Sequence, residues 1–262
     1  MTTIDFPHAS QNQLKKWCRL THAKFRREDG LFLAEGVKVV AELIKSDWQV
    51  ETIITLPEKR DNWNPVHLPP TIPLYQLSRS DFKKLSQDKE TEGILAVVRR
   101  KEGPSLKSYL HSAAGHVLIG HEIANPQNLG ALLRTARWFD FAGIILGTYC
   151  VDWTHPKVVR ASMGAVFYLN IFPDVDLAAT LPEISKHFGL IGSDVRQGTA
   201  PHPQAGNAAL LLGSESHGLP ENLLEFVEER WHISGNSRSE SLSLPQAAAI
   251  MMYEMTKKRI KA

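Results

Sequence analysis

Cysteine is scarce. Only Cys18 and Cys150 occur, far apart and without the paired spacing of a zinc site, so neither a disulfide framework nor a structural metal is expected. They read as free thiols. The eleven histidines form no H-x-x-x-H or H-x-E pattern and suggest no metal constellation. No apolar run approaches the roughly 20 residues needed to span a bilayer. The amino end, MTTIDFPHASQNQ, lacks the charged-then-apolar order of a secretory signal, so a cytoplasmic protein away from membranes is expected. An excess of one charge sign is also missing. A net charge of +2 excludes a protein that grips nucleic acid by bulk charge but permits a local basic patch.

What is present is an ordinary globular composition, 43% hydrophobic and 22% charged, over 262 residues, a length that suits one large domain or two small ones. Between Gln11 and Arg27 the chain carries Lys15, Lys16, Arg19, Lys24, Arg26 and Arg27 without an acid, and Glu28 and Asp29 follow. Two readings stand: a solvated helix face with a basic end, or a nucleic-acid contact made by Lys15, Lys16, Lys24, Arg26 and Arg27.

Periodicity predicts a helix over 11–20, a strand at 32–36 and a helix over 37–44. Strands follow at 50–55, 72–77 and 93–98, with a helix capped by Ser78 before the last. The Pro-rich stretch 57–73 must be loop, since proline removes a backbone donor and biases its predecessor toward extended forms. RRKEGPSLKSY opens a polar linker, 99–112, between an N-terminal unit (1–98) and a second unit (113–262). The second unit alternates predicted strands (116–120, 143–147, 166–172, 190–193, 208–213, 230–234) with helical patterns, which argues for an α/β fold on a largely parallel sheet.

Three segments carry chemistry. NPQNLGALLRTARWF (125–139) sits where a strand gives way to a helix; Asn125 or Asn128 can cap it, Leu129, Leu132, Leu133 and Ala136 form its buried face, and Arg134 and Arg137 share one side. ALLLGSESHGLP (209–220) is an apolar strand ending in Gly213 and a turn closed by Gly218, able to bring backbone groups to a ligand. SESHG also approaches the nucleophile elbow of serine hydrolases with Ser216 as nucleophile, but Ser214 stands where Gly belongs. NSRSESLSLPQAAAIMMYEMTKKRIKA (236–262) is a Ser-rich turn, then Pro245, then a long helix. Its Met251, Met252 and Met255 suit either core packing or a subunit interface. Its closing Lys257, Lys258, Arg259 and Lys261 suit a helix C-terminus.

In order along the chain, NPQNLGALLRTA, LLLGSESHGL and SESLSLPQAAAIMMYE resemble the three motifs of the SpoU/TrmH RNA methyltransferases, and WTHPKVVRASMGAVF is similar to that family's connecting segment. LKKWCRLTHAKFRREDGLFLAEGVKVVAELI resembles its small α/β substrate-binding domain. The resemblance implies a SPOUT-type sheet with a C-terminal deep trefoil knot, an exception to the rule against knots. It implies transfer of a methyl group from S-adenosylmethionine to a ribose 2′-hydroxyl of RNA, ribosomal RNA being favoured, by a homodimer without a metal. The methyl donor would lie against backbone around Gly213, Ser214, Glu215, Gly218, Ile233 and Leu242, without the G-x-G-x-x-G motif, which is absent. Arg134 would serve the reacting hydroxyl, Asn128 and Glu215 would orient Arg134 and RNA, and Ser241 and Ser243 would complete the site. Arg137 would join the RNA contacts. Where the family reads S-L-N-V-S, this chain has Ser241, Leu242, Ser243, Leu244 and Pro245, a shorter polar reach at Ser243 and no polar side chain at Pro245. A protein that binds RNA and cofactor without transfer is the alternative.

Overall fold

The computed structural model describes residues 6–64, 66–88, 90–236 and 241–257. Helices α1 (Gln11–Arg19) and α2 (Ala23–Asp29) lead to β1 (Leu31–Glu35), α3 (Val37–Lys45), β2 (Val50–Thr55), a short α4 (Arg60–Trp63), β3 (Leu74–Gln76), α5 (Arg79–Leu85) and β4 (Ile94–Arg99). Next come α6 (Leu106–Ser112), β5 (Val117–Gly120), α7 (Pro126–Trp138), β6 (Gly143–Gly147), α8 (Pro156–Ala161) and β7 (Asn170–Val175). The chain continues through α9 (Leu177–Ile184), β8 (Gly189–Ser193), β9 (Ala208–Leu212), α10 (Glu221–Leu224), β10 (Glu229–Trp231) and α11 (Leu244–Thr256). No helix among the described residues is long and apolar enough to cross a membrane.

Two units result: Met1–Glu102 with Asp152–Tyr168, and Gly103–Val151 with Leu169–Ala262. This differs from a division at 98 and 113 in two ways. The segment 106–112, read as linker, is helical because Ser105 caps it and Tyr109 and Leu110 face the core of the second unit. The segment 152–168 joins the first unit although the chain reaches it from the second.

The first unit is a four-stranded sheet in the order β1-β4-β2-β3, antiparallel except for the β2/β3 pair. Leu14, Trp17, Leu33, Ile54, Phe82 and Leu95 fill one core. Elsewhere in the unit, Trp153 and Phe167 of the returning segment close an aromatic cluster with Phe32 and Trp48, at centroid distances of 5.7 to 6.0 Å. Beside it lies a buried ion pair. Arg26 Nη2 donates to Asp152 Oδ2 at 2.6 Å, its Nε to Thr154 Oγ1 at 3.0 Å, and its Nη1 to the carbonyls of Leu20 and Thr21. Burial pulls the Asp152 carboxyl upward, but the Thr154 hydrogen bond and the Arg26 charge outweigh it and hold the group below the usual carboxylate range.

Arg26 therefore has to be withdrawn from the expected RNA contacts. It is 3% exposed, because its place on α2 turns it inward. A run of basic residues does not say which of them faces the core.

The second unit is a six-stranded sheet, β10-β8-β9-β5-β6-β7, with every neighbouring pair parallel. Val117, Ile119, Ile145, Ala209 and Leu211 lie in its core, the near-continuous apolar runs expected of strands covered on both faces. The strand predicted over 166–172 begins later: 165–168 make a single 3₁₀ turn and β7 starts at Asn170. Met251, Met252 and Met255 are buried within the single chain, on a helix that packs against α7, so the stripe belongs to the core. Lys258, Arg259 and Lys261 lie outside the described residues.

Breaking the buried pair leaves an uncompensated charge, so Asp152→Asn should cost roughly 3 kcal/mol in urea unfolding followed by tryptophan fluorescence. Replacing both partners, Arg26→Met with Asp152→Leu, should cost less than either single change. Because the folded-state pKa of Asp152 lies below its unfolded value, the pair's contribution should be full above about pH 4 and fade as pH falls through the folded value. An Asp152→Asn protein whose acid unfolding matches that of the parent would contradict this.

Candidate active site

In the second sheet β5 feeds β6 and β7 on one side, while β9, β8 and β10 lie on the other. The order in which strands are laid down therefore reverses between the parallel neighbours β5 and β9, and open parallel sheets bind ligands beyond the carboxyl ends of strands at such a point. Two of the three chemical segments emerge there. The amide of His121, just past β5, donates to the Leu212 carbonyl at the end of β9 at 2.9 Å, which holds the two strand ends together.

After β5 the chain turns through Glu122, a non-glycine residue at φ 54°, into α7. Such left-handed backbone is strained for a side chain with a Cβ and collects at functional loops. Asn125 is the cap: its Oδ1 accepts from the amides of Gln127 at 2.8 Å and Asn128 at 3.4 Å, and Pro126 occupies the first turn where its missing donor costs nothing. Leu129, Leu132, Leu133 and Ala136 are buried as expected, so α7 is fixed in rotation and presents Asn128 and Arg134 elsewhere.

After β9, Gly213 enters a tight reversal. Ser214 N donates to Gly218 O at 3.1 Å and Gly218 N to Ser214 O at 2.9 Å. A Cβ on Gly213 would stand 2.2 Å from the Gly218 carbonyl carbon, so only glycine fits, and Gly218 itself has φ 69°. The turn carries Glu215, Ser216 and His217 into solvent. Asn128 Nδ2 donates to Glu215 Oε1 at 2.7 Å, joining residues 87 apart in sequence.

The remaining expected site residues take these places. Arg134 is exposed on α7, about 9 Å further along the axis than Asn128, and among the described residues it makes neither an ion pair nor a hydrogen bond. Glu215 thus engages Asn128 and leaves the guanidinium open. Arg137 is exposed, 3.9 Å from Asp140. Ile233 is half-buried just past β10, and Ser241 and Leu242 are exposed. Ser243 occupies the cap position of α11 without a side-chain capping bond, which leaves its hydroxyl for another partner. Ser237 to Glu240 of the Ser-rich turn lie outside the described residues. Ser216 has no histidine hydrogen-bonded to it among the described residues, so the hydrolase reading gains nothing. On the first unit Lys15, Lys16, Lys24 and Arg27 are exposed. Arg19 lies 4.1 Å over the Phe25 ring and 3.7 Å from Glu28.

Sequence reasoning missed His121 and Glu122. A polar pair at the end of an apolar strand was the available signal, but nothing in it revealed the bond across to β9.

Residues 115–253 match the SpoU rRNA Methylase family, and residues 11–96 match the MRM3-like substrate binding domain. The chain is 28% identical over 250 residues to the 23S rRNA (guanosine(2553)-2′-O)-methyltransferase RlmP of Bacillus subtilis, covering 94% of this chain and 97% of that one. Its fold is similar to a crystal structure of an RNA 2′-O ribose methyltransferase, with a TM-score of 0.81, 25% identity and coverage of 97% and 98%. It is also similar to an AdoMet-bound rRNA methyltransferase from Sinorhizobium meliloti, TM-score 0.80, 20% identity, coverage 99% and 100%, a likeness of fold.

Gly213→Ala should displace the 214–218 reversal and lower stability by about 3 kcal/mol, since the clash is with backbone. Gly103→Ala, which meets nothing within 4 Å, should leave stability within about 0.5 kcal/mol. Thermal unfolding of the two variants side by side checks this, and equal midpoints would contradict it.

Proposed function

Because the chain belongs to the SpoU rRNA methylase family, we propose that it transfers a methyl group from S-adenosylmethionine to a ribose 2′-hydroxyl of RNA, at the crevice between the ends of β5 and β9. The observation that carries the reading is the Asn128 to Glu215 bond, which binds the turn after β9 to the helix after β5. The crevice suits the methyl donor. Gly218 has open space beside its Cα and Leu242 is exposed, so backbone groups and one apolar side chain are free to take a nucleoside. Gly213, Ser214, Glu215 and Ile233 complete that wall. When bound, the donor supplies an electrophilic methyl group on a sulfonium.

The chain's own residues supply position and charge. The ribose oxygen would gain the methyl as the carbon–sulfur bond breaks, its electron pair staying on sulfur to leave a neutral thioether, and would release its proton, with negative charge building on that oxygen in between. Arg134 stabilises this charge. It is a poor base, because a guanidinium is already protonated and has no free lone pair to accept a proton, so a neighbouring phosphate or water takes the proton. Asn128 fixes the turn, and Ser241 and Ser243 close the site over the substrate. Pro245, where the family carries a hydroxyl, removes one contact and narrows the accepted RNA.

The RNA is ribosomal. The match to a substrate binding domain and the exposed Lys15, Lys16, Lys24 and Arg27 support a structured target held by the first unit, with Arg137 reaching the backbone near the site. The C-terminal part of the second unit forms the deep trefoil knot of SPOUT enzymes. The working form is a homodimer that meets through α7 and α11, where Trp138 is 81% and Tyr253 47% exposed.

Incubating the protein with labelled S-adenosylmethionine and RNA from a strain lacking it, then digesting to nucleosides, should place label in a 2′-O-methyl nucleoside. Arg134→Ala should lower kcat roughly 10²- to 10³-fold, the loss typical of one oxyanion donor, with donor affinity unchanged. Arg134→Lys with full activity would count against the role. Donor binding with no label in any RNA would favour the non-catalytic reading, which the Pro245 departure motivates. Trp138→Glu should shift the sedimenting species from dimer to monomer; a parent protein that is already monomeric would refute the dimer.

A further inference from the structure

One group of metal-ligating side chains among the described residues takes no part in methyl transfer. It comprises His111, Glu183 and His187, each offering a ligand atom within 4.8 Å of the other two. His111 lies near the end of α6, Glu183 in the last turn of α9, and His187 in the turn that follows α9. The helices are rooted in one core: Tyr109 and Leu110 anchor α6, Leu181 and Ile184 anchor α9. Their separation is therefore set by packing rather than by the polar groups themselves.

The local chemistry orients all three. His111 Nδ1 stands 2.8 Å from the Lys107 carbonyl oxygen. A carbonyl only accepts, so Nδ1 is the donor and, in the neutral ring, Nε2 keeps its lone pair, the arrangement by which metal-bound histidines are aimed. His187 follows Glu183 by four residues, and its Nε2 is 3.6 Å from Glu183 Oε1, too far for a hydrogen bond. Two ligands bound about 2.0–2.1 Å from a tetrahedral ion stand about 3.3 Å apart, so the pair needs to close by only a few tenths of an ångström. The two imidazole rings are 5.0 Å apart at 53°, neither stacked nor splayed away. Glu183 Oε2 is taken by Lys186 Nζ at 2.6 Å, which leaves Oε1 as the ligand atom and puts one competing cation beside it.

We propose that His111, Glu183 and His187 bind a zinc ion, with water as fourth ligand, and so clamp the end of α6 to the end of α9. Two imidazoles with one carboxylate select a borderline transition metal over calcium or magnesium, which prefer oxygen throughout. The site holds a structural ion on the second unit and takes no part in the methyl-transfer chemistry.

The test uses the full-length protein stripped with chelator and titrated with zinc chloride, by calorimetry and by thermal unfolding. One ion per chain should bind and raise the unfolding midpoint. His111→Ala and His187→Ala should each weaken binding by at least about tenfold and abolish the thermal shift, while their methyl transfer without zinc stays at the parent level. Lys186→Met, which removes the competing cation, should tighten it. Calcium and magnesium should give no shift. Failure to bind zinc, or binding equally strong in both histidine variants and therefore adventitious, would overturn the proposal.

Discussion

The ladder between β5 and β9 is the contact on which the site rests. Four residues of each strand pair in parallel, Val117 with Ala209 through Gly120 with Leu212. Both strands therefore end at the same edge, and the loops after them come together without further instruction. A slip of one residue would turn every apolar side chain of β9 from one layer to the other, so the register is fixed by burial before any polar group acts. The His121 to Leu212 bond and the Asn128 to Glu215 bond then add detail to a geometry already set.

The first unit solves a different problem. Its edge strand β1 is fully buried, and part of the cover comes from α8, on the segment that returns to it late in the chain. That segment brings Trp153 and Phe167 for apolar contact and Asp152 for the guanidinium of Arg26. Buried ion pairs seldom add much net stability, because desolvation consumes most of the attraction. What the pair does impose is direction. With its guanidinium hydrogen bonds running to Asp152, Thr154, Leu20 and Thr21, Arg26 admits one placement of the returning segment and penalises others.

Local features were legible from sequence wherever a single residue type has one physical use. Ser78 caps α5 and Asn125 caps α7, Val50–Thr55 is a strand as its pattern demands, and the buried face of α7 carries the four residues that periodicity selects. Fold and reaction were legible through three motifs in order, and at Gly213 the physical reason is plain, since a Cβ there would meet the Gly218 backbone. Distant pairings were not. Nothing in the run Lys24 to Arg27 marks Arg26 as the inward member, since its partner stands 126 residues away. Nor do His111 and His187 form a spacing pattern, because α6 and α9 meet only through the core they share. Residues 165–168 misled for a third reason: an apolar run buried on several sides looks the same whether strand or 3₁₀ turn.

The assignment of Asp152–Tyr168 to the first unit has a consequence for synthesis. A growing chain makes β1 and Arg26 early, yet the residues that cover the one and neutralise the other follow only after β5, α7 and β6. At roughly 5–20 residues per second, β1 waits several seconds with one flank open. The first unit is thus completed when the second has only β5 and β6 of its six strands, and the nascent protein passes through a stage in which neither is finished. A chaperone that shields β1 during that interval would act on the vulnerable edge of this fold.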